Sequence, residues 1–182
     1  SKKGFIGLGV MGFAMAGHIS NKYPNLTVYN RTLNKADSWV RENGGKVASN
    51  AAEVGDLCEQ VFLCVGNDED VKQVVSGKEG LLSTMKKGGI IVDHTTISAD
   101  TTKELSELCS KRGIGFIDAP VSGGQAGAES GKLTVMAGGD RDCFNKVKET
   151  IECYSKFIKL TGPSGSGQLT KMVNQICIAG LI

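Results

Sequence analysis

The chain is poor in the residues that usually betray a specialised site. Among 182 residues there are two histidines, one tryptophan and three prolines, and aromatics make up 5%. Two histidines and no Cys-x-x-Cys pair leave no metal-ligand pattern, so no metal is expected. The six cysteines, at 58, 64, 109, 143, 153 and 177, lack the spacing of a disulfide framework. Cys64 and Cys177 lie within apolar runs, where a thiol behaves as a small hydrophobe. A formal net charge of +2, with no cluster of Lys or Arg, argues against nucleic acid as the main partner. No apolar stretch approaches the ~18 residues that would suggest a membrane span. The opening SKKGFIG runs straight into a strand pattern and does not read as a leader. A reducing, cytoplasmic setting is the expectation.

Glycine is what the chain has in excess: 25 of 182, about twice the usual ~7%. The glycines fall in short punctuating runs between apolar segments, which means many tight turns. Strand patterns cover residues 3–7, 26–30, 46–48, 60–65, 89–93, 114–117, 133–137 and 156–160. Helical patterns cover 10–22, 33–43, a short stretch capped by Asn50, a stretch opened by Asp68 or Asp70, 98–112 (capped by Ser98) and 140–153. Such repeated alternation predicts an α/β fold, a Rossmann-like doubly wound and mostly parallel sheet with helices on both faces. The turn cluster of Pro163, Gly165 and Gly167 marks one boundary, with a first domain over residues 1–163 and a helix starting in 164–182.

Gly7-x-Gly9-x-x-Gly12 stands between the first strand and the first helix. There the first two glycines permit a tight turn and close approach to a pyrophosphate, and the third lets helix and strand pack closely. The helix N-terminus adds free N–H groups and a partial positive charge. Leu8, Val10 and Met11 belong to the same loop. About 20 residues on, where an acid normally binds the adenosine ribose, the chain has Asn30, Arg31 and Thr32. Neutral donors and a guanidinium suit a ribose 2′-phosphate, so NADP is expected ahead of NAD, with NAD possible. Two further segments end strands on the same edge: 93–98, DHTTIS, and 116–124, FIDAPVSGG. Ser122, Gly123 and Gly124 offer a hydroxyl and several N–H groups together, as a carboxylate would require.

The last helix carries a polar stripe on an otherwise apolar cylinder. Lys171, Asn174 and Gln175 share one face, with Gln168 a turn earlier. Met172, Val173, Ile176, Cys177, Ile178, Ala179, Leu181 and Ile182 leave almost no side for solvent, so the helix is expected to be buried. His18 and His94 have no ligand partners in the pattern and are expected to be structural.

GLGVMG, DAPVSGG and GQLTKMVNQ, in this order, resemble the β-hydroxyacid dehydrogenase family, which includes 3-hydroxyisobutyrate dehydrogenases, tartronate semialdehyde reductases and glyoxylate/succinic semialdehyde reductases. The resemblance implies a hydride transfer between a nicotinamide dinucleotide and a short 3-hydroxy acid or its semialdehyde. It implies that Val65, Gly66 and Thr96 line the nicotinamide half, with Asp70 counted in the cofactor site, and that Ser122, Gly123 and Gly124 hold the substrate carboxylate. Lys171 matches the catalytic lysine, and Asn174 and Gln175 would position substrate beside it. Asn-Gln at these positions looks more like the tartronate semialdehyde reductases than the Asn-Asn of hydroxyisobutyrate members. The His-Asn pair of 6-phosphogluconate dehydrogenase is absent. Family members continue past the lysine into an all-helical domain, so residues 164–182 are expected to begin an interdomain helix, and the full-length protein to be a homo-oligomer. A ketone or aldehyde reduced beside an ammonium gains both charge stabilisation and a proton donor. A non-catalytic dinucleotide-binding module is the alternative from another class.

Overall fold

Alternation within the short apolar runs decides the architecture. Phe5, Phe62, Val92 and Ile117 belong to one buried cluster, while Ile6, Val61, Leu63, Ile91 and Phe116 belong to another. Strands with two apolar faces need cover on both, and helices provide it. The computed structural model describes residues 1–180. The chain begins β1 (Lys3–Ile6), α1 (Val10–Lys22), β2 (Thr27–Tyr29), α2 (Leu33–Asn43), β3 (Lys46–Val47), α3 (Ala51–Leu57), β4 (Gln60–Leu63) and α4 (Asp68–Ser76). It continues with β5 (Ile90–Asp93), α5 (Ala99–Lys111), β6 (Gly115–Asp118), β7 (Val121–Ser122) and α6 (Gly124–Ser130). The last elements are β8 (Leu133–Gly138), α7 (Arg141–Ile151), β9 (Ser155–Gly162) and α8 (Ser166–Gly180).

The strands form one sheet in the order β3-β2-β1-β4-β5-β6-β8-β7, with β9 on β8. From β3 to β6 every pair is parallel. Helices α1, α2 and α7 cover one face, around Met15, Trp39 and Phe144; α3, α4 and α5 cover the other, around Val54, Val71 and Leu105. The strand order reverses between β1 and β4, and at such a switch point the carboxyl ends of neighbouring strands open a crevice.

Element boundaries follow local chemistry. Asn50 Oδ1 accepts from Glu53 N at 2.8 Å and Ser98 Oγ from Thr101 N at 3.1 Å, so both helices start where their caps predict. The helix expected to open at Asp68 or Asp70 does open at Asp68, and the residue before it, Asn67, caps it, its Oδ1 accepting from Asp70 N at 2.9 Å. The acids there occupy its first turn, where the helix dipole favours them. The Gly/Ser/Ala-rich stretch after β6 holds β7 and α6, both too short to leave a periodic signal. Strand β8 runs antiparallel to β6 and β7. The helix expected to reach residue 153 ends at Ile151 and passes into a 3-10 turn, Glu152–Tyr154.

The burial read from the apolar surround of the last helix is not met within residues 1–180, and Leu181 and Ile182 lie outside the described residues. Gly167 and Gln168 are buried, but Met172, Val173, Ile176 and Ile178 are 51–64% exposed. Residues 1–180 supply a seat for the start of α8 and nothing to cover the rest.

Candidate functional site

A cleft of about 1050 Å³ lies at the switch point. Its floor is the turn from β1 into α1. Gly7 has φ +97, and a Cβ there would also collide with the Cys64 carbonyl. Gly12 faces the Gly7 carbonyl so closely that no side chain fits. Gly9 differs from both, because a Cβ at Gly9 would meet nothing within 4 Å. The protein therefore gives no internal reason for glycine at position 9. Helix α1 starts here with Gly9 as its N-cap, with no side-chain cap and no acid in its first turn. By contrast, α3, α4, α5 and α7 are all capped by a side chain. Free N–H groups, the positive end of a helix and an unfilled cradle over Gly9 fit a pyrophosphate.

Asn30 fixes the loop from the neighbouring strand. Its Oδ1 accepts from Leu8 N at 2.8 Å while its Nδ2 donates to Thr32 O at 3.0 Å. Arg31 and Thr32 then rim the cleft at the start of α2, which also lacks a side-chain cap. Arg31 Nη1 lies 3.6 Å from Asp70 Oδ1 across the cleft, with the arginine 88% exposed. An exposed pair of this kind is worth about 0–1 kcal/mol, so it yields readily to a stronger anion. Lys35 and Lys78 add positive charge to the same rim. Cys64 also lines the cleft, but desolvation pushes its thiol up to about 12, which keeps it neutral and unreactive.

The neighbouring strand ends carry a buried polar cluster. Asp93 and Asp118 end β5 and β6 in register with each other. Asp93 is fully buried; its Oδ1 accepts from Thr95 N at 2.9 Å and its Oδ2 has no partner. Desolvation pushes its pKa up to about 7, with the Asp118 charge adding to the effect. Burial also raises the Asp118 carboxyl above its usual range, opposed by N–H donation from Gly165 and Gln168. The next residue, His94, donates from Nδ1 to Ala119 O and accepts at Nε2 from the Tyr154 hydroxyl, both at 2.6 Å. Its pKa is held down to about 4 by burial, so it is a neutral structural strut with both ring nitrogens occupied. Thr95 Oγ1 accepts from Val65 N at 3.0 Å and ties the end of β4 to this turn.

Of the residues singled out from the sequence, Gly7, Gly9, Val10, Met11, Gly12, Asn30, Arg31, Thr32, Val65, Gly66 and Asp70 line the one cleft. Leu8 points its side chain into the core and contributes its backbone N–H. Thr96 is exposed on the β5–α5 turn, outside the cleft lining. Ser122, Gly123 and Gly124 form β7 and the start of α6, which packs on α1; His18 Nε2 meets the Ala128 carbonyl at 2.9 Å there. Gln125, next in line, shares a shallow groove with Leu8, Gly9 and Val10, so this segment lies beside the glycine loop. Lys171 and Asn174 are half-buried and Gln175 is exposed on α8, and none of the three lines the cleft. Tyr29, Lys35, Asn50, Gln73, Lys78 and Glu79 line it without having been singled out. Only Lys35, one helical turn after Arg31, left a readable signal. Asp118 was visible only as part of a longer motif, and Gln168 only as the first member of the polar stripe on the last helix.

Residues 2–165 match the family model described as the NAD binding domain of 6-phosphogluconate dehydrogenase. An uncharacterized oxidoreductase of Shewanella frigidimarina is 54% identical over 182 residues, covering 100% of this chain and 62% of that protein. A probable 3-hydroxyisobutyrate dehydrogenase-like 2, mitochondrial, of Arabidopsis thaliana is 39% identical, covering 96% of this chain and 58% of its own length. The solved structure of a Mycobacterium tuberculosis 3-hydroxyisobutyrate dehydrogenase with L-serine superposes with a TM-score of 0.91 at 26% identity, covering 98% of this chain and 60% of that one. The chain thus spans about three fifths of the length of these relatives.

Proposed function

The chain belongs to the family of the NAD binding domain of 6-phosphogluconate dehydrogenase, and from that premise we propose that it is the cofactor-binding part of an oxidoreductase acting on NADP(H) and a short 3-hydroxy acid or its semialdehyde. The carrying observation is the uncapped start of α1 over a bare Gly9, open to a cleft with Arg31, Thr32 and Lys35 on its rim. Gly9 and the first turn of α1 hold the pyrophosphate. Arg31, with Thr32 and Lys35, takes the 2′-phosphate. A hydrogen bond to a charged group is worth about 1.5–3 kcal/mol, more than the exposed Arg31–Asp70 pair it replaces. Val65, Gly66 and Thr96 flank the nicotinamide end.

The bound cofactor supplies the hydride chemistry. Ser122, Gly123 and Gly124, beside the glycine loop, hold the substrate carboxylate through a hydroxyl and backbone N–H groups. Lys171 stabilises the alkoxide that forms on the carbonyl oxygen and donates a proton to that oxygen; in the reverse direction it takes the proton back. Asn174 and Gln175 orient the substrate, and their identity favours the tartronate semialdehyde type over hydroxyisobutyrate. The described cysteines are all unpaired thiols, which suits a reducing cytoplasm. At full length we expect an additional helical domain over α8 and a homo-oligomer, in keeping with the exposed apolar face of that helix.

A panel of short carboxylate-bearing semialdehydes, assayed with NADPH and NADH on the full-length protein, tests the proposal. NADPH-dependent reduction of a three- or four-carbon semialdehyde is expected. Tight NADPH binding with no turnover of any member of the panel would make the protein a dinucleotide-binding module instead.

A further inference from the structure

The start of α8 is anchored at three points. The N–H groups of Gly165 and Gln168 are taken by the two oxygens of one carboxylate, Asp118, at 2.9 and 3.0 Å, from a strand 47 and 50 residues earlier. A helix start usually takes its cap from the preceding residues; this one takes it from the sheet. The Gln168 side chain reaches the other way. Its Nε2 donates to Thr95 O at 2.8 Å and its Oε1 accepts from Ile97 N at 3.2 Å, closing on the turn that follows β5. Third, Gly167 sits so close to the Met136 and Asp118 backbone oxygens that any side chain would overlap them.

Beyond Gln168 the helix leaves the sheet and its apolar side chains become exposed. Lys171 follows Gln168 by one turn on the same face. It makes no hydrogen bond or ion pair of its own among the described residues. The seat of the helix therefore fixes where the Lys171 backbone, and with it the root of the side chain, lies. Asp118 is also the residue from which the chain turns, through Ala119 and Pro120, into Ser122–Gly124. One carboxylate thus joins the segment assigned to the substrate carboxylate to the helix assigned to proton transfer.

We propose, resting on the role given to Lys171 above, that Asp118 and Gln168 are positioning residues for the reaction, fixing the register of α8 so that Lys171 meets the carbonyl oxygen of a substrate held at Ser122–Gly124. Neither touches substrate or cofactor. Asp118 bonds the helix to β6, and Gln168 bonds it to the β5–α5 turn beside the nicotinamide end of the cleft. A helix rises 1.5 Å per residue, and a misplacement of about 1 Å at the reacting atoms costs on the order of 10²-fold in rate. Loosening either anchor has room to produce such a shift without opening the cofactor cleft.

A double-mutant cycle in the full-length protein tests this, with hydride transfer measured in a single turnover at saturating NADPH and semialdehyde. Asp118→Asn keeps the shape but presents an amide to two N–H groups, and Gln168→Ala removes the second anchor. Each is expected to slow transfer by about 10–100-fold, with the NADPH Kd changed less than about 2-fold. In a Lys171→Ala background, itself slowed by roughly 10²–10⁴, the same substitutions should cost less than about 2-fold, because residues acting as a unit are not additive. An equal loss in both backgrounds would make the anchors merely structural and overturn the proposal. So would unchanged rates for Asp118→Asn and Gln168→Ala beside a crippled Lys171→Ala. If Asp118→Asn does not fold, as judged by lost NADPH binding, the Gln168→Ala cycle decides alone by the same criteria. Near-native transfer by Lys171→Ala would remove the lysine from the chemistry, which is the failure of the function proposed above and takes the positioning role with it.

Discussion

Burial acts in opposite directions on Asp93 and His94, consecutive residues at the end of β5. Asp93 is raised from 3.8 to about 7 and His94 lowered from 6.5 to about 4. The protonated Asp93 is the form the fold prefers, so its contribution is complete below about pH 4 and is lost as pH rises toward 7. The neutral His94 is the form the fold prefers, so its contribution is complete above about pH 6.5 and is lost as pH falls toward 4. The two slopes oppose each other over the same range. Asp93→Asn removes one of them. Relative to the parent, its melting temperature is expected to improve on going from pH 5 to pH 8, and a constant difference across that range would show that Asp93 does not titrate in the fold. Arg31 is the residue on which cofactor choice turns. Arg31→Ala should weaken NADPH by about 1.5–3 kcal/mol and leave NADH nearly unchanged, because only the former carries the 2′-phosphate. Equal losses for both cofactors in a binding titration would take that preference away from the arginine.

At the scale of elements, the β1–α1 turn separates glycines required by the fold from one reserved for a ligand. A methyl at Gly12 runs into the Gly7 carbonyl, a backbone atom that cannot move aside. Gly12→Ala is expected to destabilise the protein by more than about 1 kcal/mol, as overpacking does. A methyl at Gly9 meets nothing within 4 Å, and the residue has an ordinary φ of −70. Gly9→Ala should therefore melt within a degree or two of the parent while losing at least about tenfold in dinucleotide affinity, roughly 1.4 kcal/mol. Paired thermal melts and cofactor titrations check both. A Gly9→Ala protein with parental affinity would mean the pyrophosphate does not sit on this turn.

At the scale of the whole molecule, most of the large exposed apolar side chains among the described residues lie on α8. Met172, Val173, Ile176 and Ile178 are 51–64% exposed on one helix, and clustered apolar exposure marks an interface or an aggregation site. Residues 1–182 prepared alone are expected to bind NADPH through the cleft, to self-associate and to reduce no semialdehyde. Water around Lys171 would also weaken the electrostatic stabilisation that a closed site supplies. Light scattering, a cofactor titration and a semialdehyde reduction assay together read all of this, and Ile176→Lys should lower the association while leaving NADPH affinity alone. A monodisperse monomer with native-like turnover would mean that α8 needs no cover and that the reaction is complete within this chain.

The sequence by itself determined the α/β class, the mostly parallel sheet, most helix starts and the position of the glycine turn. These depend on near neighbours: alternation along a strand, a cap three residues before the N–H it accepts, glycines spaced for one turn. Tertiary structure alone decided that β8 runs antiparallel to β6, that Arg31 faces Asp70, and that Lys78 joins the cleft. It also decided the hold on α8, where Asp118 meets Gly165 and Gln168 across 47 and 50 residues and Gln168 meets Thr95 and Ile97 across 73 and 71. Contacts of that span leave no period in the chain. They exist only after the strands have fixed which ends lie side by side, and burial then sets the strength of each polar bond made there.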